Sequence, residues 1–289
     1  MLDEKKNNKI YYHYCSVDTF YNILQTGTIR FGNPLNMNDS AEIIWLLEMV
    51  KDFVLKRGVY NSILEGWNLI ENISRTLLQE MDCPYIFCLS KDKDVLSQWR
   101  SYANDGRGVA IGFNVDFIET YYSLYGAEVI YDRERQYDIL SRNISDNILR
   151  NLNTAVKDGN RDEIYRKSKI LVSYILQDAI MCKNPAFQEE KEYRLYCGYR
   201  KKEEKDVSDI KFRVNDCSII PFRELYFKNN EYRLIENIVV GPKSSINNRN
   251  LWLFLESKGF KWIDIDSKEW HMNDSKWKEH VIVSQATYR

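Results

Sequence analysis

Hydrophobic and polar positions along this chain predict strands interrupted by helical blocks. Ile10–Cys15, IYYHYC, is rich in aromatic residues that favour a pleated surface, and reads as a strand. Phe20, Ile23 and Leu24 then recur at helical spacing behind Ser16 and Asp18, either of which can cap a helix, and Gly27 supplies its stop. Thr28–Phe31 re-extends, so Tyr11–Phe31 forms a strand, a short helix and a second strand.

After the turn-rich loop Gly32–Ser40, the run AEIIWLLEMVKDFVL carries Ile43, Leu46, Leu47 and Val50 on one helical face. A second helix is expected over Asn61–Met81, ending before Pro84 because the residue preceding a proline is pushed out of helical geometry. Its Trp67 reads as packing. Pro84–Ser90 is a buried strand, Asp94–Tyr102 a helix with Trp99 and Tyr102 on one face, Asn104–Gly108 a turn and Val109–Phe113 another strand. Glu128–Tyr131 is a brief strand, and Arg133–Cys182 is long, charged and mostly helical. In Pro185–Cys197, alternation puts Glu190, Glu192 and Arg194 on one strand face and Tyr193 and Leu195 on the other. Charged strand faces commonly just meet solvent. Strands KFRVND, CSIIPF, RELYF and IENIVVGP follow, then a helix over Arg249–Lys258 and a last strand, HVIVS.

Composition narrows the class. With 289 residues and 44% apolar content, the chain can fill a core, and we expect one globular domain over 1–289 with helical insertions near 41–81 and 133–182. The 41 basic and 42 acidic residues nearly cancel, so no global field favours a polyanion. No apolar run is long enough to cross a bilayer and MLDEKKNNK lacks the apolar core of a signal peptide, so a cytoplasmic protein without a membrane partner is expected. The scattered cysteines Cys15, Cys83, Cys88, Cys182, Cys197 and Cys217 read as reduced core thiols. With no C-x-x-C and only His13, His271 and His280, no metal site is expected. The glycines of Gly106–Gly112 lie between a helix and a strand, the reverse of a dinucleotide-binding turn, and read as turn formers.

Several stretches together carry a resemblance. YYHYCS, FCLSKDKDVLSQWRSYANDGRGVAIGF, EEKEYRL, IVVGP and a closing S-x-x-x-Y-R resemble the bacterial domain-of-unknown-function 2971 family over nearly the whole chain outside the two insertions. That family name carries no activity. More distantly, the same stretches resemble ADP-ribosyltransferases of the diphtheria-toxin and DNA-targeting toxin type. His13 matches the histidine of that group's first motif, Phe87–Ser90 followed by Trp99 and Tyr102 is similar to its second, and Glu190-Lys191-Glu192 matches its Glu-x-Glu. Cys88 stands where the toxin type has a tyrosine, and Tyr14-Cys15 replace its small residues.

The resemblance implies an α+β fold with a split, sandwich-like sheet and inserted helices, and a transferase that consumes NAD. Glu192 would be catalytic with Glu190 as helper, and His13, Tyr14, Ser90, Trp99, Tyr102 and Arg194 would contact the dinucleotide. Cleaving the nicotinamide–ribose bond develops positive charge on the sugar, which a carboxylate can stabilise and flat aromatics can shield from water. The acceptor would be a protein or nucleic acid, and a partner protein could regulate a toxin or anti-phage defence effector of this kind. The competing expectations are an NAD glycohydrolase, a catalytically silent nucleotide-binding or regulatory module and, more weakly, a nuclease.

Overall fold

A computed structural model describes residues 9–34, 40–57, 84–179, 181–197, 208–215, 218–227, 234–260 and 279–288. The chain forms two compact units: Met1–Phe31, Phe87–Ala127 and Glu189–Arg289 in one, Gly32–Ile86 and Glu128–Gln188 in the other. The helix expected over Asn61–Met81 lies outside the described residues, as do Cys83, Cys217, His271 and the side chains of Ile43, Leu46 and Leu47.

Among the described residues ten strands join in one mixed sheet: β1 (Ile10–Cys15), β2 (Thr28–Gly32), β3 (Tyr85–Ser90), β4 (Val109–Asn114), β5 (Tyr125–Glu128), β6 (Glu192–Cys197), β7 (Lys211–Asn215), β8 (Ser218–Tyr226), β9 (Ile235–Val240) and β10 (Val281–Val283). The main path runs β10, β9, β4, β1, β3, β2, β8, β7, and β6 pairs with both β3 and β5. The strands expected as a split sheet are thus connected through β3, which pairs with β1, β2 and β6. β1 and β4 are antiparallel from Ile10↔Asn114 to Cys15↔Val109, and β10 runs parallel to β9. CSIIPF and RELYF, expected as separate strands, merge into β8.

Local chemistry sets the element ends. Helix α1 (Val17–Thr26) is capped by Ser16, whose Oγ accepts from Thr19 N at 3.1 Å, and it ends at Gly27, whose φ of 63° is open to a residue without a Cβ. Helix α2 (Ser40–Arg57) belongs to the second unit. Helix α3 (Leu96–Tyr102) leads into β4 through Asn104 and Asp105, both at positive φ, and Gly106 at φ 80°. Helix α4 (Val115–Tyr122) is an element the apolar pattern did not single out. Asn114 caps it, accepting from Phe117 N at 3.0 Å, and it buries Val115, Ile118 and Tyr122. The brief strand expected at Glu128–Tyr131 forms earlier, as β5, where Gly126 lies against Tyr193.

In the second unit, the helical region after Arg133 breaks into α5 (Arg133–Asn143), α6 (Asp146–Lys157) and α7 (Arg161–Ala179). Ser145 caps α6, and Gly159, at φ 66°, separates it from α7. Val50, Phe53, Val54, Leu140, Ile144, Leu149, Leu152 and Leu171 form the core of this unit. Its buried Gln136 donates from Nε2 to the carbonyls of Ile130 and Lys183, at 2.5 and 2.7 Å, reinforcing the parallel bridge between Ile130 and Cys182.

In the first unit, alternation gives β1 two distinct sides. Tyr12 and Tyr14 pack with Trp99, Ala103, Ala110 and Val239, under α3. Tyr11 and His13 point the other way, Tyr11 stacked on Tyr193 at 4.4 Å and His13 tilted against Phe87 at 4.6 Å. Helix α8 (Asn248–Ser257), capped by Asn247, buries Leu251 and Leu255. Among the described residues no helix is long and apolar enough to cross a membrane.

Candidate functional site

Glu190 is the meeting point of α3, the end of β3 and the start of β6. Pro185, whose ring fixes φ, opens a 3-10 helix, Pro185–Glu190, and Asn184 Oδ1 accepts from Ala186 N at 2.9 Å beside it. Lys191 then takes φ 42°, and the strand starts at Glu192. Glu190 is therefore not on the strand, contrary to the alternation expected over Pro185–Cys197; the proline and its capping asparagine start a helical turn that overrides the period-two pattern. Glu192 and Arg194 do share a strand face.

Three bonds pin the Glu190–Lys191 turn to the end of β3. Ser90 Oγ donates to Glu190 O at 2.8 Å, Lys91 N donates to Lys191 O at 3.0 Å, and Lys191 Nζ pairs with Asp92 Oδ2 at 2.7 Å. The Tyr102 hydroxyl donates to Glu190 Oε1 at 3.2 Å while the residue keeps 39% of its surface exposed. Trp99, one turn earlier, is fully buried and donates from Nε1 to Asp94 Oδ1 at 2.7 Å. The helix thus drives Trp99 into the core and carries Tyr102 to the carboxylate.

Arg194 grips Glu192 from Nε to Oε1 at 2.8 Å and from Nη2 to Oε2 at 3.0 Å, with both residues buried. Such a two-point grip fixes the carboxylate plane. Tyr193, between them, points to the Tyr11 side, where its hydroxyl donates to Glu119. Glu192 and Arg194 alternate away from that side.

His13 stands apart from this cluster. It is on the Tyr11 side of β1, and its Nδ1 lies 3.2 Å from Cys88 O. A carbonyl only accepts, so Nδ1 carries the proton. Burial pushes its pKa down to about 4, against the smaller upward pull of the Cys88 carbonyl, so the ring is neutral at pH 7. Tyr14 is buried against Trp99, and its hydroxyl donates to Asp92 O at 2.8 Å and accepts from Val95 N at 3.0 Å. Of the residues singled out in the sequence, Ser90 and Tyr102 each bond to Glu190, Glu192 and Arg194 pair on the strand that follows, and Tyr14 packs against Trp99 of α3.

Asp94 and Asp105 escaped the sequence reading. They flank α3, and both are held by the closing S-x-x-x-Y-R stretch, a long-range pairing that no local periodicity encodes. Among the described residues no three His, Cys, Asp or Glu side chains gather as a metal site, and Cys15, Cys88, Cys182 and Cys197 are not joined in disulfides.

Residues 98–195 match the model of a family described as "Protein of unknown function (DUF2971)". The matched stretch is about a third of the chain. It takes in Trp99, Tyr102, Glu190, Glu192 and Arg194 together with the second helical insertion, and leaves out His13, Tyr14 and Ser90. The family resemblance is thereby supported over a different extent from the one expected, which excluded that insertion. No curated protein and no solved structure matches the chain.

Proposed function

We propose that the chain is an NAD-consuming ADP-ribosyltransferase whose working groups are Glu192, Glu190 and Tyr102. The observation that supports this reading is the convergence of the Ser90 and Tyr102 hydroxyls on Glu190, two residues before the Arg194-held carboxylate of Glu192. NAD, as substrate, would bring the scissile nicotinamide–ribose bond. A carboxylate with a fixed plane stabilises the positive charge that develops on the sugar, and its worth rises where water is excluded. Tyr102 offers a partly exposed ring to a flat leaving group and a hydroxyl that steadies Glu190. Glu190, on the turn and not the strand, would orient the acceptor, a protein or nucleic acid. His13, on the other side of β1, contributes to the framework of this site and not to its chemistry in this reading.

A second reading, a silent nucleotide-binding or regulatory module, is favoured by the grip itself: both oxygens of Glu192 accept from Arg194. One pair of measurements separates the two. Purified protein is titrated with NAD by calorimetry, and nicotinamide release is followed with and without cell lysate carrying labelled NAD. Release with label on a macromolecule supports the transferase, and release without it a glycohydrolase. Binding without release supports the silent module, and neither binding nor release removes the NAD reading.

A further inference from the structure

Helix α3 has seven residues, too few to hold its shape by backbone bonds alone. Its N-cap residue is Val95, with no side-chain cap, and its C-cap Ala103 lies outside helical geometry. Something else must hold it. Ser284–Tyr288, the stretch following β10, crosses both ends. At the first end, Asp94 accepts from Ser284 Oγ at 2.6 Å and from Gln285 N at 2.7 Å, besides its bond from Trp99. At the other, Asp105 accepts from the Tyr288 hydroxyl and from Lys243 Nζ at 3.1 Å.

Between the two carboxylates, Ala286 packs against the cluster formed by Tyr12, Tyr14, Trp99 and Ala103. The Tyr288 ring lies under two cations, Lys243 Nζ at 3.6 Å and the Arg100 guanidinium at 4.7 Å, and Arg100 is itself on α3. Ser284 N continues the parallel ladder by donating to Val240 O at 2.9 Å, so the stretch is anchored to the sheet before it reaches the helix. Tyr288 and Lys243 hold Asp105 below the usual carboxylate range, in keeping with a bonded carboxylate at that end.

We propose that Ser284–Tyr288 is a strap with two clasps, Asp94 and Asp105, and that this strap sets the pose of α3 and so decides whether the Tyr102 hydroxyl reaches Glu190. The strap is a conformational control on the cluster, whatever substrate the cluster takes. With it fastened, Trp99 is seated and Tyr102 meets Glu190; with it released, the short helix frays and the contact is lost. A ligand or partner that takes Tyr288 or Ser284 away would act on the cluster without touching it.

The test uses the full chain carrying Ser284→Ala and Tyr288→Phe together, with Tyr288→Phe alone as the milder variant. Amide exchange is read at Trp99, Gly106 and Gly108, whose N–H groups donate to Val95, Trp99 and Ala103. The expected result is at least about tenfold faster exchange at these amides, the scale of losing a hydrogen bond to a charged group, with β4 and β6 unchanged. A double-mutant cycle between Tyr102→Phe and Glu190→Gln, read by denaturant unfolding, should show coupling in the parent and none in the strap variant. Unchanged exchange across α3, equal acceleration throughout the first unit, or coupling that survives removal of both hydroxyls would each overturn the strap.

Discussion

Arg194 holds both carboxylate oxygens of Glu192, its neighbour two residues earlier on the same strand face, with side chains only 2% and 7% exposed. Taking two charges out of water is costly, and the pair survives burial because the guanidinium matches the carboxylate at two points. Removing one partner of such a pair costs about 3–5 kcal/mol, whereas exposed pairs are worth about 0–1 kcal/mol. Arg194→Lys, which keeps the charge and loses the fork, should destabilise the protein by about 2 kcal/mol or more in urea unfolding. A loss in the range of exposed pairs would mean the grip is not a structural one. Any activity lost in Glu192→Gln has to be corrected for the folded fraction measured in the same experiment.

His13 should give the protein an acid-sensitive range. Its folded pKa is about 4, depressed by burial from the ordinary histidine value of 6.5, so the unfolded chain binds the extra proton first as pH falls. Stability is therefore full above about pH 6.5 and falls between about pH 6.5 and 4, by an amount on the order of 3 kcal/mol. His13→Gln, which does not titrate, should flatten the stability curve across that interval. An equal slope in parent and variant would assign the acid sensitivity to other groups.

Tyr102 and Trp99 should separate function from folding. Tyr102→Phe keeps the ring and removes the hydroxyl that meets Glu190, so it should leave the melting temperature near that of the parent while lowering nicotinamide release by roughly tenfold. Trp99→Ala should destabilise by about 3–5 kcal/mol, because it empties a fully buried site. Parent-like release by Tyr102→Phe would take that hydroxyl out of the chemistry.

Gly108 is required for space. A Cβ there would sit 2.0 Å from Cys15 O and 3.0 Å from Ala103 O, both rigid backbone atoms. Gly108→Ala should cost about 3 kcal/mol as the β1–β4 pairing shifts to admit the methyl group. Thermal unfolding is the measure, with Gly159→Ala as the contrast, since a Cβ at Gly159 meets nothing within 4 Å and only its positive φ resists the change.

The sequence was most legible where one residue's chemistry decides a boundary. Ser16 and Gly27 delimit α1, and the apolar run Val109–Phe113 became β4. It was least legible where long-range pairing or a local turn outweighed periodicity. Glu190 reads as a strand residue by alternation, yet Pro185 starts a helical turn and Lys191 breaks it, so the two glutamates stand on different elements. Helix α4 carried its own signal, Asn114 ahead of Val115 and Ile118, hidden by the strand that ends on the same asparagine. The joint role of Asp94 and Asp105 could not be read at all, because the partners they share on the closing stretch, Ser284 and Tyr288, lie more than a hundred residues away. The sides of β1 were implicit in simple alternation, which separates His13 from Tyr12 and Tyr14 before any coordinate is known.

The strand order also governs when a nascent molecule can finish folding. β1 pairs with β4, as in Ile10↔Asn114, and β4 pairs with β9, as in Ala110↔Val239. β2, near the beginning, lies beside β8, near residue 220. At roughly 5–20 residues added per second, β2 waits on the order of 10–40 s on the ribosome for its neighbour to be made. During that interval its open side, flanked by the apolar Ile29 and Phe31, must be kept from pairing with another chain. Slow synthesis and crowded expression should therefore yield aggregate before they yield a misfolded monomer, and chaperone supply during translation should matter more for soluble yield than the stability of the finished protein.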